Sequence, residues 1–381
     1  MKGICSIVLD KDKVFLAFAC KKGKSYFFLK EEEIIIPFEN NDIIKFLNSN
    51  ISLIDKKIRE SEKNFSFKTE ELYLQSPWEL TNARSVNDTI PFQKKQKVTS
   101  KVVSQAKKYL EDKFLDWDEQ CLHHIIFDYY LEGQKQTKVP LGMVTRKLGL
   151  NSFIFSVKNN VYREIEGAFE NIDRDFTALI APQIGIFCSV PLKPQLDLVA
   201  VSMGYEKTYF VAKIKNCFYF DKGFDFGQKD IIQALAEKFM ITPTLADEVF
   251  RRYASFRETP YSKEITIKKE DSYLQVSTQS LNIFLKDFIK NNIADIIEKI
   301  KEKTSKADFI LSFVGRLNEK EGFYNFLREI LGLEIIIPIQ ASAVSSALGC
   351  LDYGFYRHFE KILDNNAPFL QRIVNTYHEY F

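Results

Sequence analysis

Two stretches far apart in this chain follow one plan, and that repetition limits the folds open to it more than any single motif. Residues 3–9, 13–20 and 25–30 read as three short strands, separated by Asp10-Lys11-Asp12-Lys13 and Lys21-Lys22-Gly23-Lys24, which makes a meander of two hairpins. Asn40 and Asn41 are placed to cap a helix over about 42–62, with Ile43, Phe46, Leu47 and Ile51 on one face, and 71–75 returns as a strand. The second half starts again. Strands at 196–202, 208–213 and 218–221 precede a helix at 229–239, and Thr242-Pro243 opens another that ends near Tyr253. Charged strands and turns follow at 257–276, then a long helix at 280–303 with the stripe Leu281, Phe284, Leu285, Phe288, Ile289, Ile293, Ile296 and Ile297. Buried strands at 308–314 and 334–338 and a small-residue helix at 341–351 complete it. A meander followed by helices, twice over, predicts two α/β halves of the same layout.

At 381 residues the chain is long enough for two or more cores. Its 45% apolar and 27% charged residues are those of a soluble globular protein, and a net charge of +2 implies no bulk attraction to a polyanion. Lysines and aromatics interleave everywhere without forming a basic stripe, so no nucleic-acid partner is expected. The six cysteines (Cys5, Cys20, Cys121, Cys188, Cys217, Cys350) stand singly with no C-x-x-C, which predicts neither a zinc site nor a disulfide framework and suits a reducing cytoplasm. MKGICSIVLD turns polar too soon for a secretory signal, and no apolar run reaches the roughly 20 residues of a spanning helix.

Between the halves, 77–152 has a different character. Pro77 and Trp78 open it, a helix is expected at 100–113 on Val102, Val103, Ala106, Tyr109 and Leu110, and then comes CLHHIIFDYYLEGQKQTKVPLGMVTRKL over 121–148. This last stretch reads as a strand in which Leu122, His124 and Ile126 alternate with His123, Ile125 and Phe127. The alternation puts the two histidines on opposite faces, one packed and one exposed. A polar turn at Glu132-Gly133-Gln134-Lys135 and an elbow at Val139-Pro140-Leu141-Gly142-Met143 follow, with Gly133 and Gly142 free to take positive φ. Any mixed domain contains a strand and a loop of this spacing; the string of residues is more particular.

That string resembles the FtsA family of bacterial cell-division proteins, whose extra subdomain carries a histidine-isoleucine-proline strand, a turn and a P-x-G-M elbow. His124, Ile125, Tyr130, Leu131, Gly133, Pro140, Gly142 and Met143 fall at matching places, and Phe127 or Asp128 stands where the family has its proline. Weaker similarity extends along nearly the whole chain. The resemblance implies a two-lobed actin-like (ribonuclease H-type) α/β fold with an inserted α+β subdomain. Residues 1–76 and 153–193 would form the first actin-like subdomain, with 153–157 and a helix near 161–171 returning to it and Pro182 opening a short helix. Residues 77–152 would be the insertion, 194–361 the second lobe with a small subdomain at 256–303, and 362–381 a linker and an amphipathic helix.

The resemblance also says where Mg-ATP would sit. The family's first phosphate hairpin, approximately D-I-G-T-S-K, falls on Asp10-Lys11-Asp12-Lys13, which lacks glycine; Asp10 and Lys13 are the matching acid and lysine. The second, D-I-G-G-G-T-T-D, falls on 200–207, where Gly204 alone survives and Ala200 and Lys207 replace the aspartates. The ribose-side A-E-x-x-K helix matches Ala246-Asp247-Glu248-Val249-Phe250, keeping the acid as Asp247 and losing the lysine to Phe250. The adenine-side glycines reduce to Gly315, Gly223 follows the third strand of the second meander, and Met203 and Phe313 would place bulk where the ligand must lie. Glycine lets backbone N–H groups reach phosphate oxygens, and Mg-ATP needs oxygen ligands and donors together. The expectation is no cofactor and no metal, no catalytic residues, and hairpins that merely turn the chain.

Two partner surfaces follow from the resemblance. Asn366 and Pro368 would start a C-terminal helix with Phe369, Leu370, Ile373, Val374, Tyr377 and Phe381 on one face, matching the family's anchor on the anionic inner membrane; docking on its own domain is the alternative. On the helix at 280–303, Asn292 stands where the family has the arginine that receives the FtsZ C-terminal peptide, with Lys286 and Lys290 nearby as substitutes, although solvated lysines on an amphipathic helix explain them too. Self-association into filaments would strengthen a weak membrane helix by avidity. The reading is a cytoplasmic, membrane-peripheral FtsA-like adaptor between FtsZ filaments and the membrane. A PilM-like pilus-assembly protein that clasps a peptide and an active actin-fold ATPase are its rivals.

Overall fold

A computed structural model describes residues 2–10, 13–22, 25–36, 42–136, 139–190, 197–214, 217–220, 223–257, 262–269, 272–338 and 346–351. The chain divides into two compact units, residues 1–195 with 346–381, and residues 196–345.

In the first unit the meander forms as the hairpins dictate. Strands β1 (Lys2–Asp10), β2 (Lys13–Lys22) and β3 (Ser25–Ile35) pair antiparallel, and Asp10 faces Lys13. Helix α1 (Ile43–Phe65) then carries the chain over to β4 (Lys68–Gln75), which pairs parallel with β1. The cap is Asp42, whose Oδ1 accepts the N–H groups of Ile44 and Lys45 at 3.1 and 3.0 Å; Asn40 and Asn41, expected in that role, lie outside the described residues. Ile43, Phe46, Leu47, Ile51, Ile54 and Ile58 bury its apolar face. On α1, Asp55 and Glu62 hold Arg174 between them (Nε to Asp55 2.7 Å, Nη1 to Glu62 2.8 Å), tying the helix to the turn before β9 (Phe176–Ile180). The sheet order is β3-β2-β1-β4-β9.

The inserted module lies between β4 and α3 (Asn159–Glu170) and builds a sheet of its own. Strands β5 (Asn82–Lys97), β6 (Glu119–Leu131), β7 (Gln134–Gln136) and β8 (Val144–Lys158) order as β5-β8-β6-β7, with α2 (Ser100–Phe114) packed through Val102, Ala106 and Leu110. Gly133 and Gly142 take φ of 86° and 85°, as the turn and elbow require. Residues 153–157 do not leave the module, because β8 runs unbroken to Lys158 and pairs with β6 as far as Glu119.

The second unit repeats the plan. Strands β10 (Leu198–Met203), β11 (Thr208–Ile214) and β12 (Cys217–Phe220) form the meander; after α5 (Gln228–Phe239), α6 (Pro243–Tyr253), the hairpin β13 (Glu264–Lys269)–β14 (Ser272–Ser277) and α7 (Thr278–Thr304), β15 (Ile310–Gly315) pairs parallel with β10. The order is β12-β11-β10-β15. Beyond it Leu311 bridges Ile335 in parallel, donating its N–H to Glu334 O at 2.8 Å, so 334–336 occupies the fifth place that β9 holds in the first unit. Helix α8 (Phe323–Leu331) precedes that edge.

Past the second unit the chain rejoins the first. Residues 346–351 are helical, and Gly349 lies so near the helix α4 (Pro182–Cys188) that a Cβ on it would come 1.8 Å from Gly185 O. Ser6 Oγ donates to Ala347 O at 2.6 Å, which fixes this segment against β1.

Candidate functional site

At the β1–β2 turn, Lys13 is partly buried and ion-paired with Glu33 on β3, and Asp10 is half-buried at the end of β1. Lys11 and Asp12, the tip, lie outside the described residues. The lysine charge is therefore spent on the neighbouring strand.

The β10–β11 hairpin is closed by its own backbone. Gly204 donates its N–H to Lys207 O at 2.9 Å, and the carbonyls of Gly204 and Tyr205 accept the N–H groups of Gln228 (3.1 Å) and Lys229 (2.8 Å). A helix N-terminus attracts anions through N–H groups that lack partners. The first turn of α5 has given these two to the hairpin. The remaining donors there go to a local box, in which Gly227 N–H reaches Asp230 Oδ2 at 2.8 Å and Asp230 N–H reaches Gly227 O at 3.2 Å. A Cβ at Gly227 would sit 2.4 Å from Tyr205 O, so glycine serves this close approach. Over the hairpin the buried Arg316 guanidinium lies 5.6 Å from the Tyr205 ring centre, and its Nη1 is 3.3 Å from Gln228 Oε1. Lys207 pairs with Asp225 at 3.4 Å.

The other matched positions are structural as well. Asp247 on α6 pairs with Arg251 at 2.7 Å, and its Oδ1 is buried with no hydrogen-bond partner among the described residues. Phe250, in place of the family's lysine, is fully buried; Lys320 Nζ lies 4.7 Å over its ring and donates to Phe250 O (2.9 Å) and Arg251 O (3.0 Å), closing the end of α6. Gly315 has φ 112°, and a Cβ there would meet Met203 O at 2.4 Å. The ends of β10 and β15 are thus too close for any side chain. Gly223, at φ 105°, packs on the Tyr209 ring. Met203 and Phe313, expected to protrude into a ligand space, are instead core residues of the second unit, buried with Leu311, Leu317 and Phe323. Mg-ATP is the group this fold would imply, and the N–H groups of Gly204, Gln228 and Lys229 are bonded within the protein rather than offered to it. Asn318, beside Arg316, is buried with both amide atoms unpartnered among the described residues. Arg316, Gln228 and Tyr205 escaped the sequence reading because they converge from three separate segments, and Lys320, on the same segment as Arg316, reaches a different place; only the adjacency of Arg316 to Gly315 hinted at the position.

On α7, Asn292 spends its amide on Phe288 O of its own helix (2.8 Å), Lys290 is exposed and Lys286 half-buried. The apolar face Phe369, Leu370, Ile373, Val374, Tyr377 and Phe381 lies outside the described residues. Among the described residues no helix is long and apolar enough to cross a membrane, and no cluster of side chains could hold a metal ion.

The two histidines differ from expectation, since both side chains are buried. Register shifts between Cys121 and His123 and between Ile126 and Asp128 make two bulges in β6, but His123 and His124 stand between them in regular register opposite Phe155 and Ile154, so they do face opposite sides and each side is covered. His123 Nε2 accepts the N–H of Ala181 at 3.0 Å, joining the module to the start of α4. His124 bonds Glu111 Oε1 through Nδ1 and Ser152 Oγ through Nε2, each at 2.9 Å.

No protein-family model matches the chain, and no curated protein matches it significantly. Solved structures do. A structure titled PilM-PilN type IV pilus biogenesis complex aligns with TM-score 0.58 at 12% identity, covering 92% of this chain and 98% of that one. MreB5 of Spiroplasma citri bound to ADP aligns at 0.53 and 7% identity (96% and 99% covered), and ethanolamine utilization protein EutJ from Carboxydothermus hydrogenoformans at 0.51 and 9% (91% and 88%). Two units of matching strand order, each with its meander and crossover helices, together with these alignments, give the chain the actin-like ATPase fold.

Proposed function

We propose that this chain is an actin-fold assembly protein that holds other proteins together and does not turn over ATP. The carrying observation is the hairpin at Gly204–Lys207, where the Gly204 N–H is bonded to Lys207 O and the first two amides of α5 are bonded to the carbonyls of Gly204 and Tyr205. An ATPase needs those donors for phosphate oxygens. Titration calorimetry with Mg-ATP and Mg-ADP, paired with a phosphate-release assay, is expected to give no heat of binding and no turnover. Micromolar binding with turnover would overturn the reading.

The finer reading is a peptide-holding role of the pilus-assembly kind. It is supported by the inserted β5-α2-β6-β7-β8 module and by the alignment, over 98% of its length, of the chain from the PilM-PilN complex. Co-purification with a PilN protein of the same genome is the expected result. A second reading, the FtsA-like division adaptor on the inner membrane, is favoured by exposed Ile283 and Lys290 on α7 and by the apolar pattern of 364–381. It predicts binding of an FtsZ C-terminal peptide, loss of that binding on Lys286→Glu with Lys290→Glu, and self-association on vesicles. Retention of FtsZ with no PilN would choose the second reading over the first.

A further inference from the structure

The far end of the inserted module carries charge that the bulk composition hides. Strand β5 pairs with β8 along its length, but the register jumps between Pro91, opposite Lys147, and Gln96, opposite Thr145. Phe92, Gln93, Lys94 and Lys95 therefore bulge opposite Arg146, and Lys97 sits directly across from Val144. The elbow is bound to the same end, since Val98 donates to Met143 O and Gly142 to Val98 O, both at 2.8 Å. Lys94, Lys95, Lys97 and Arg146 are exposed, and among the described residues no ion pair or hydrogen bond engages their side chains. Set among them are two apolar side chains in water, Met143 at 46% and Val144 at 61% exposure.

The carboxylates of this end already have partners other than those four side chains. Glu132 accepts from Thr145 Oγ1 and from the Arg146 N–H, and Asp128 is buried against Lys135 at 2.7 Å. The two ends of the module also differ. At the end joined to the rest of the unit, Arg84 pairs with Glu119 and Asp116, and Lys158 with Asp118. Along β8 the basic tip lies up to roughly 40 Å from that neutralised end at about 3.3 Å per residue.

We propose that this tip docks on an anionic lipid surface, with Lys94, Lys95, Lys97 and Arg146 meeting headgroups and Met143 and Val144 entering the interface. Unpaired cations around exposed apolar side chains are the combination such a surface rewards. A nucleic acid would use the charges but gain nothing from Met143 and Val144, and among the described residues the tip offers no exposed aromatic platform for bases, Phe92 being half-buried. The proposal goes beyond the assembly role and leaves residues 364–381 untouched.

The test uses the full chain with vesicles of equal parts phosphatidylglycerol and phosphatidylcholine. Co-sedimentation is expected with these and not with phosphatidylcholine alone, and it should weaken as salt rises. The variant Lys94→Glu/Lys95→Glu/Lys97→Glu should bind at least about tenfold more weakly, given the contribution of each cation near an anionic leaflet. A second readout is local: Val144→Cys carrying an environment-sensitive dye should brighten with the anionic vesicles. That signal separates this tip from attachment by any other segment. Unchanged sedimentation of the triple variant, or a silent dye on bound protein, would overturn the proposal. A dye response to polyglutamate without one to vesicles would replace the membrane by an acidic protein.

Discussion

Glu119 sets the terms at the scale of single residues. Its carboxylate is buried beneath Arg84 (2.6 Å) and also accepts from Asn82 Nδ2 (2.8 Å), Ser156 Oγ (3.2 Å) and the Asp116 N–H (3.0 Å). Burial alone would raise its pKa, but the donors and the guanidinium outweigh it and hold the carboxyl below its ordinary value. Glu62 is lowered in the same way, with Arg174 and Thr69 overcoming burial. A carboxylate depressed in the folded state stabilises above its unfolded pKa, about 4.3, and the contribution fades as pH falls through the lower folded value. Unfolding free energy by urea should therefore drop as pH goes from 5 to 3, and drop less steeply in Glu119→Gln. Glu119→Ala should cost about 2 kcal/mol at pH 7, because Arg84 and Asn82 lose their acceptor. None of this was legible in the sequence, where Glu119 is one acid in the run Asp116-Trp117-Asp118-Glu119. The two histidines do face opposite sides of β6, but alternation does not say whether a side is covered, and here Ala181 lies against one and Glu111 of α2 against the other.

Whole elements were read more faithfully where hydrophobic period and turn chemistry agree. The β1–β2 hairpin, the Thr242 cap and Pro243 start of α6, and the stripe of α7 all stand as the residues suggested. Strand β5 was missed because Asn82–Lys97 is polar and contains Pro91, which sits on an edge strand at a register break, where the ladder has no N–H to lose. Glycine carried the least specific signal. Gly315 and Gly204 both looked like remnants of ligand loops, but their surroundings differ. Gly315→Ala must force φ 112° on a side chain and bring its Cβ to 2.4 Å from Met203 O, which should destabilise the second unit by about 2–4 kcal/mol in urea unfolding. Gly204→Ala meets only Lys207 O at 3.2 Å and should cost under about 1 kcal/mol.

At the scale of the whole molecule, the duplicated plan carried the fold class from sequence to structure, while the ligand question needed coordinates. Loops lose or keep glycines for several reasons, and the hydrogen bonds of Gly204, Gln228 and Lys229 show what those three groups do here. The consequence can be measured on the intact chain. A ligand at a hundred times its dissociation constant stabilises by about 2.7 kcal/mol, so millimolar Mg-ATP should leave the melting temperature unmoved if no micromolar site exists.

The segment at 346–351 has a bearing on how this protein is made. It fills the space beside Gly185 and holds Ser6, yet it is translated some 150 residues after the rest of its own unit, since the second unit spans 196–345. A nascent chain leaves the ribosome amino-terminus first, so the first unit waits with an open slot until the second has been synthesised. A product stopped at residue 345 should be cut far faster by protease within 1–195 than the full chain is. Completion of the earlier half is thereby made conditional on the later one.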